Sequence, residues 1–319
     1  MVDLFGIFAS AVGPIVAIAG VGYALATLKD VDPEPLNTAV VYVFAPALVF
    51  HSLAVTELAA GTLARVAVGI LVFTGVMLGI SEFVGRATGE EEPVLSALLL
   101  VAVFCNSGNL GIPVSDFAFG DVGRQTAVLF LSVQAMLMYT VGVYIASRSG
   151  GSSGLAGVKR VFRLPLLYAV LGALLARALN VVPASDTAGM QVLQLVGDSS
   201  IPVMLLILGI QLARTDTGAA VSQAWKGTAL KFGVAPVVGL GVALLLGFEN
   251  PTVARVFVLE TAMPAAVTPV ILVVEFAADR EAGGISVPEY VSTCVLVTTL
   301  LSIPVLTAVI AVLQSGLVI

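Results

Sequence analysis

Long apolar runs separated by short polar turns make up most of the chain. Residues 4–28, 93–115 and 125–147 contain no Asp, Glu, Lys or Arg, and residues 35–56 add only His51 to the same pattern. A helix needs about 20 apolar residues to cross the hydrocarbon core of a bilayer, which is about 30 Å thick. Strands of an outer-membrane barrel would alternate apolar and polar residues instead. The pattern therefore predicts an all-α membrane protein in which each helix satisfies its own backbone hydrogen bonds.

The polar interruptions divide the chain into ten predicted spans joined by short loops. The longest polar connection, 148–163, contains the flexible sequence SGGSSG. It separates a first group of five spans, 1–147, from a second group, 164–319. The ten predicted spans cover residues 4–28, 36–56, 62–85, 93–119, 123–147, 164–180, 188–213, 224–247, 251–277 and 288–315.

Prolines recur in the two groups at nearly constant offsets of 151, 156 and 151 residues. Chance register among common transmembrane prolines is the alternative explanation. Because five is an odd number, the second group must be inverted relative to the first. The sequence thus predicts ten transmembrane helices in two inverted five-helix repeats, with helices 4 and 9 broken. The pairs are Pro14 with Pro165, Pro46 with Pro202, and Pro113 with Pro264.

Composition excludes several other classes of protein. The 319 residues are 59% hydrophobic and 11% charged, and the mean hydropathy is +1.09, whereas soluble domains carry about 25% charged residues. A chain of this size cannot bury that much apolar surface in water, which excludes a soluble enzyme, a nucleic-acid binder and a disordered protein. Cys105 and Cys294 lie in apolar segments, which is typical of buried thiols rather than of a disulfide framework.

The basic residues indicate the orientation. Ten of the fourteen Lys and Arg residues lie on the side of the loops that follow spans 1, 3, 5, 7 and 9. Cytoplasmic loops carry an excess of Lys and Arg. We therefore expect a multi-pass protein of the cell membrane with both termini extracellular and the 148–163 linker in the cytoplasm.

The strongest chemical signal is the run CNSGNLGIP at 105–113 in span 4. Glycine and proline interrupt a helix, and the freed backbone groups, with Asn106, Ser107 and Asn109, offer donors and acceptors to a polar ligand. Pro264 interrupts span 9 at the matching place. Paired broken helices in inverted halves are typical of a transporter site at the midplane. A packing kink with Asn as interhelical glue is the alternative.

Glu260 stands nine residues after Pro251, so its carboxyl group lies inside the bilayer. An intramembrane carboxylate is costly and indicates function. It can ligate a cation or carry a proton; a glutamate satisfied by neighbouring Asn or Thr is the structural alternative. Ser132 and Gln134 in span 5 either face the break or hold helices together. Lys231 is expected to snorkel to the cytoplasmic interface.

Several stretches in order resemble the auxin efflux carrier family, of which this chain looks like a prokaryotic member. NSGNLGIP at 106–113 resembles the family's N-[ST]-x-x-x-G-[IL]-P crossing motif, and AMPAAVTPVILVVEF at 262–276 resembles its ninth span. RLPLLYAVLGALLA, VGDSSIPVMLLILGIQLA and LKFGVAPVVGLGVALLLGF resemble spans 6, 7 and 8, so the match covers nearly the whole chain.

The resemblance implies inverted repeats similar to those of the bile-acid sodium symporters, with spans 4 and 9 crossing. Spans 1, 2, 6 and 7 would form a scaffold and a homodimer surface, and spans 3–5 and 8–10 a moving transport domain. The substrate would be a small organic anion, such as auxin or another carboxylate. The predicted substrate-binding residues are Asn106, Ser107, Asn109, Pro113, Pro264 and Gln134.

One departure from the plant carriers concerns the coupling ion. Plant carriers tend to have a neutral residue where Glu260 stands, whereas the E-x-x-M run at 260–263 resembles the sodium-binding stretch of the bile-acid symporters. Oxygen ligands suit a hard cation, so we expect Na⁺ as the candidate ion, with proton coupling as the rival. The predicted ligands are Glu260, Thr261, Met263, Asn106, Ser107 and Ser132.

The sequence thus predicts a secondary active transporter of a small organic anion that works by elevator-type alternating access. No G-x-S-x-G sequence surrounds His51 and no Walker A sequence is present, so we expect no enzyme, no nucleic-acid partner and no cofactor besides Na⁺. The alternatives are a proton-coupled or uncoupled carrier of the same fold, or a membrane sensor that does not transport.

Overall fold

The computed structural model describes residues 6, 8–56, 58–150, 162–214, 223–277, 281–282 and 285–319, and almost all of them are helical. Seven of the described helices are long and apolar enough to cross a membrane, which confirms a multi-pass helical membrane protein. Residues 281–282 and 285–286 form a small antiparallel hairpin. The seven helices are α1 (Phe8–Lys29), α2 (Pro33–Ala54), α3 (Ala60–Ala87), α5 (Ser107–Arg148), α7 (Ala188–Arg214), α8 (Trp225–Leu246) and α11 (Val287–Gln314).

Four shorter apolar helices complete the described part of the chain. Two of them, α4 (Val94–Val103) and α6 (Pro165–Ala178), are separate short helices. The other two, α9 (Pro251–Thr261) and α10 (Thr268–Ala277), are the halves of one interrupted segment. Each of the predicted spans 4 and 9 is therefore broken near its middle, where the sequence has its Gly and Pro residues.

The boundary expected between spans 4 and 5 falls inside α5. Gly120 has the non-helical angles φ 63° and ψ −151°, a left-handed conformation that glycine adopts without a steric penalty. The chain changes direction at Gly120, and no separate loop divides the two helical parts. Helical structure continues to Gly150, and residues 151–161 of the predicted linker lie outside the described residues.

Widened π-helical turns precede four prolines of the described helices. In each case the turn ends two residues before the proline. A proline ring clashes with the carbonyl group four residues earlier and donates no hydrogen bond to it, and a π turn moves that carbonyl away. Two of these turns, Ser107–Gly111 and Leu230–Val234, carry residues of the site described below. The four turns are Phe8–Val12 before Pro14, Val40–Phe44 before Pro46, Ser107–Gly111 before Pro113, and Leu230–Val234 before Pro236.

Helices α1, α2, α6 and α7 pack against one another as a group. Gly22 of α1 and Gly209 of α7 allow the closest approach. A Cβ atom on Gly209 would overlap the carbonyl oxygen of Ala19, and one on Gly22 would overlap that of Leu206. Small residues of this kind let transmembrane backbones pack closely.

The remaining helices form a second packed group around the two breaks. Helix α3 contacts α4 and α8, α8 contacts α9, and α10 contacts α11 and the last turns of α5. Most of the buried apolar side chains of both groups belong to one continuous core. This arrangement brings the break after α4 next to the break after α9.

Candidate functional site

The two helix breaks run antiparallel and bond to each other; we call residues 104–106 and 264–266 together the crossing. The backbone amide of Asn106 donates to the Pro264 carbonyl at 2.8 Å, and the backbone amide of Ala266 donates to the Phe104 carbonyl at 3.0 Å. Cys105 and Ala265 pair as an isolated β-bridge between them. The backbone groups that the breaks release therefore find partners in the opposite break, as an apolar environment demands.

Gln134 of α5 secures the first break. Its side chain accepts from the Cys105 amide at 3.0 Å and donates to the Cys105 carbonyl at 2.7 Å. It also donates to the Ser107 hydroxyl at 3.2 Å. Gln134 was predicted as a substrate ligand or as a residue that holds helices together. These bonds hold the peptide of Cys105 in place.

A cavity of about 200 Å³ lies beside the crossing. One end of it is lined by the beginnings of α2 and α6 and the last turns of α7, through Asn37, Leu166 and Gln211. No Asp, Glu, Lys or Arg stands among the described residues that line it. The polar wall consists mainly of amides and hydroxyls, contributed by Asn37, Asn106, Ser107, Asn109, Gln134, Tyr139, Gln211 and Thr268.

Asn106 is the lining residue with unused hydrogen-bonding capacity at the crossing. Its side chain is only 5% exposed, and its Nδ2 atom has no hydrogen-bond partner. A buried donor without a partner costs about 1–3 kcal/mol, so the fold maintains it at a cost. Asn109, one turn further along α5, is half-buried and lines the same cavity.

Glu260 lies on the other side of the first break, completely buried in the last turn of α9. The Ser115 hydroxyl donates to its Oε1 atom at 2.8 Å, and Ser107 lies next to the same carboxyl group. Its Oε2 atom has no hydrogen-bond partner. A Cβ atom on Gly111 would overlap the carboxyl group, so only glycine leaves room for Glu260 against the first turn of α5.

The other predicted cation ligands differ in their contacts. The Thr261 hydroxyl donates to the Val258 carbonyl at 2.7 Å and the Ser132 hydroxyl donates to the Val128 carbonyl at 2.7 Å, both within their own helices. Met263 is fully buried after the end of α9. Pro113 is buried in α5, and Pro264 contributes its carbonyl to the crossing. Among the described residues, no three His, Cys, Asp or Glu side chains come together to hold a metal ion.

Lys231 does not snorkel, and that expectation is wrong. It is 0% exposed, and its Nζ atom lies 3.3 Å from the Ala102 carbonyl and 3.0 Å from the Cys105 sulfur. The sequence did contain a signal for this burial. Lys231 is the seventh residue of α8, so about 9 Å of helix separates it from the helix start. Ser115 was also missed, since a serine inside an apolar helix has no distinguishing pattern.

A cluster of ion pairs connects α5 to α7 at the end where Gly120 turns the chain. Arg124 pairs with Asp198 of α7 at 2.7 Å and with Asp121 at 3.0 Å, and Asp116 lies 3.8 Å away. Beside it, the Thr56 hydroxyl donates to Gln125 at 2.6 Å. These polar contacts join the two packed groups of helices at that end.

Broken apolar helices, a crossing stabilised by its own backbone and an amide-lined cavity together define a membrane transport protein. The family model described as "Membrane transport protein" matches this chain over residues 7–156 and 155–310. The chain therefore belongs to that family, and this confirms the resemblance to the auxin efflux carriers.

Two curated relatives agree with this membership. An uncharacterized transporter of Methanothermobacter thermautotrophicus is 25% identical over 280 residues, which are 88% of this chain and 88% of the relative. An uncharacterized transporter of Methanocaldococcus jannaschii is 22% identical over 252 residues, which are 77% of this chain and 80% of the relative.

Proposed function

We propose that the protein is a secondary transporter of a small organic anion, which it carries by alternating access around the crossing. The observation that carries this proposal is the side-chain Nδ2 atom of Asn106, which has no hydrogen-bond partner and stands in a cavity at the junction of two helix breaks. Membership in a family of membrane transport proteins supports the class of function. Paired broken helices at a midplane site are the recurring device of secondary transporters.

The proposal includes ten spans in two inverted repeats. Helix α4 with α5 up to Gly120 would be the fourth span, and α9 with α10 the ninth. The bonding of the breaks at 104–106 and 264–266 supports equivalent places for them in the two halves. The group of α1, α2, α6 and α7 would be the scaffold and the surface of a homodimer, and the helices around the crossing would move against it.

The cavity and the Arg124 cluster would define the state of the carrier. With the predicted orientation, the end of the cavity at Asn37 and Gln211 faces the cytoplasm of a cell membrane. The opposite, extracellular end, which would also hold both termini, is closed between the groups by Arg124 and Asp198. In this proposal the structure corresponds to the inward-open state of an elevator-type cycle.

The chemistry of the site favours an anion. Helix α5 begins at Ser107, beside the cavity, and the N-terminus of a helix carries partial positive charge and free N–H groups. The side-chain NH₂ group of Asn106 adds a donor without a partner. A carboxylate bound here would accept from both, and the apolar wall of Val40, Leu131 and Ile271 would contact its organic body.

Na⁺ at Glu260 is the proposed coupling ion. The Oε2 atom without a partner, with Ser107 and Ser115 close to the same carboxyl group, supports an oxygen site for a hard cation. In this proposal Glu260→Gln removes the stabilisation of the purified protein by Na⁺. If Na⁺ does not shift the melting temperature of the wild type, proton coupling or uncoupled transport replaces it.

Ligand-induced shifts of the melting temperature test the proposal. A panel of carboxylates that includes indole-3-acetate, phenylacetate and malate is added to the purified full-length protein, with and without Na⁺. We expect at least one carboxylate to stabilise the wild type and Asn106→Ala to abolish that shift. Gln194→Ala removes an exposed amide of α7 and is the matched control. An Asn106→Ala shift equal to that of the wild type would contradict the site.

A further inference from the structure

Two opposite charges are buried at the crossing, and the proposed function uses only one of them. Lys231 and Glu260 are the fully buried ionisable residues with formal charge among the described residues. Isolated charges in an apolar interior are strongly unfavourable. The protein nevertheless places one of each sign beside the same break, so their combined effect on the cavity has to be considered.

Lys231 is held by the end of a half-helix rather than by a carboxylate. No described Asp or Glu side chain forms a salt bridge with it, and its Nζ atom lies 3.3 Å from the Ala102 carbonyl. Helix α4 ends at Val103, so Ala102 belongs to the last turn, whose carbonyl groups have no intrahelical partner. This negative end of the helix dipole stabilises a cation.

Glu260 has the complementary arrangement at the beginning of the next half-helix. Its carboxyl group contacts Gly111 and accepts from Ser115, in the first turns of α5. The positive end of that helix stabilises an anion. Each half of the broken segment thus holds one fixed charge of the opposite sign.

Cys105 connects the ammonium group of Lys231 to the wall of the cavity. The Cys105 sulfur lies 3.0 Å from Nζ of Lys231, and Cys105 lines the cavity next to Asn106. No charged side chain of the described residues lines the cavity itself. The two buried charges beside the first break therefore act on an anion at Asn106, because in a poorly polarisable interior formal charges act over several ångströms.

We propose that Lys231 is the specificity-determining cation of this cavity, which attracts the anion through the break at Cys105 and Asn106 without touching it. With Glu260 charged and no cation bound, the two fixed charges cancel. A cation at Glu260 leaves the charge of Lys231 uncompensated, and anion affinity rises. Binding of cation and anion would thus be coupled through the field, and the coupling is reciprocal. This inference rests on the proposed function.

The test compares the affinity for a carboxylate among variants that differ in the sum of the two fixed charges, those of Lys231 and Glu260. Dissociation constants are determined on purified full-length protein for the carboxylate that stabilises the wild type most and for its neutral carboxamide analogue. Lys231→Met should weaken carboxylate binding on the order of tenfold and leave carboxamide binding unchanged, whereas Lys231→Arg should retain carboxylate affinity. Lys226→Met is the matched control. Lys226 lies on the same helix as Lys231, and its interfacial charge is paired with Glu90.

The double variant separates charge from structure. Without Na⁺, Glu260→Gln should bind the carboxylate more tightly than the wild type, and Lys231→Met with Glu260→Gln should return to the wild-type value. Equal losses for carboxylate and carboxamide in Lys231→Met, or a double variant no better than Lys231→Met, would overturn the inference. If Lys231→Met does not fold, the Glu260→Gln comparison alone decides. A wild type that binds no carboxylate would refute the proposed function itself, and this inference with it.

Discussion

Gly111→Ala places one methyl group against the carboxyl group of Glu260. In the structure a Cβ atom on Gly111 would lie 2.8 Å from Oε1 and 2.9 Å from Cδ of Glu260, and closer still to Oε2. Carbon contacts are favourable only from about 3.5 Å. The closest carboxyl atom, Oε2, sets the displacement, so the carboxyl group must retreat by roughly 1 Å, because Gly111 belongs to the helix and cannot retreat as easily.

That displacement breaks the proposed cation site. The bond from Ser115 to Oε1 is 2.8 Å long, and such a retreat lengthens it toward the limit of a hydrogen bond. A hydrogen bond to a charged group contributes about 1.5–3 kcal/mol, and every 1.4 kcal/mol corresponds to about tenfold in affinity. We expect the Na⁺ concentration that gives half-maximal stabilisation to rise about tenfold or more in Gly111→Ala.

The assay is a Na⁺ titration of the melting temperature of purified protein, with K⁺ replacing Na⁺ to keep the ionic strength constant. Gly79→Ala is the control, because a Cβ atom there meets nothing within 4 Å. A Gly111→Ala variant with the Na⁺ midpoint of the wild type would refute the assignment of Glu260 as the cation ligand.

Two further predictions concern the closed end and the scaffold. Arg124→Gln removes the ion pair with Asp198, which at a half-exposed position contributes about 1 kcal/mol or less, so the outward-open population should rise up to about fivefold. A cysteine at Ala135, which lines the cavity from α5 among the helices that would move, in a background without Cys105 and Cys294 would then react faster with an impermeant thiol reagent added outside; an unchanged rate would exclude the ion pair as a gate. Gly209→Ala drives a methyl group into the backbone of α1 at Ala19, and such overpacking costs about 1–3 kcal/mol. Its melting temperature should fall clearly below that of Gly20→Ala, where a Cβ atom meets nothing within 4 Å; equal melting temperatures would show that α1 and α7 are not in close contact.

The sequence was sufficient where a single local rule decides. Apolar length predicted the membrane helices, and the Gly and Pro residues at 105–113 and 262–269 predicted the two breaks, because these residues cannot continue a helix. Asn106 and Glu260 were selected as candidates because a polar residue deep in an apolar run has few neutral explanations, and both are buried beside the first break. Each of these features depends only on neighbours along the chain.

The parts that sequence reasoning missed depend on neighbours across space. Lys231 lies about 9 Å along α8 from its start, but the groups that keep it inside, the last turn of α4 and the Cys105 sulfur, come from a distant part of the chain. The sequence left open whether Gln134 faces a substrate or holds helices together, and the structure shows that it bonds to both backbone groups of Cys105. Ser115 has no signal until α9 is packed on α5 and brings Glu260 to it.

Substrate counterflow in proteoliposomes tests whether the protein carries an organic anion through the site at the crossing. Vesicles that contain the purified protein are loaded with the carboxylate identified by the melting screen, and entry of the labelled compound is followed. The account predicts rapid uptake by the wild type and by Gln194→Ala, and no uptake above empty vesicles by Asn106→Ala with an unchanged fold. Uptake by Asn106→Ala at the wild-type rate would contradict the site at the crossing, and binding without any uptake by the wild type would identify a sensor instead of a carrier.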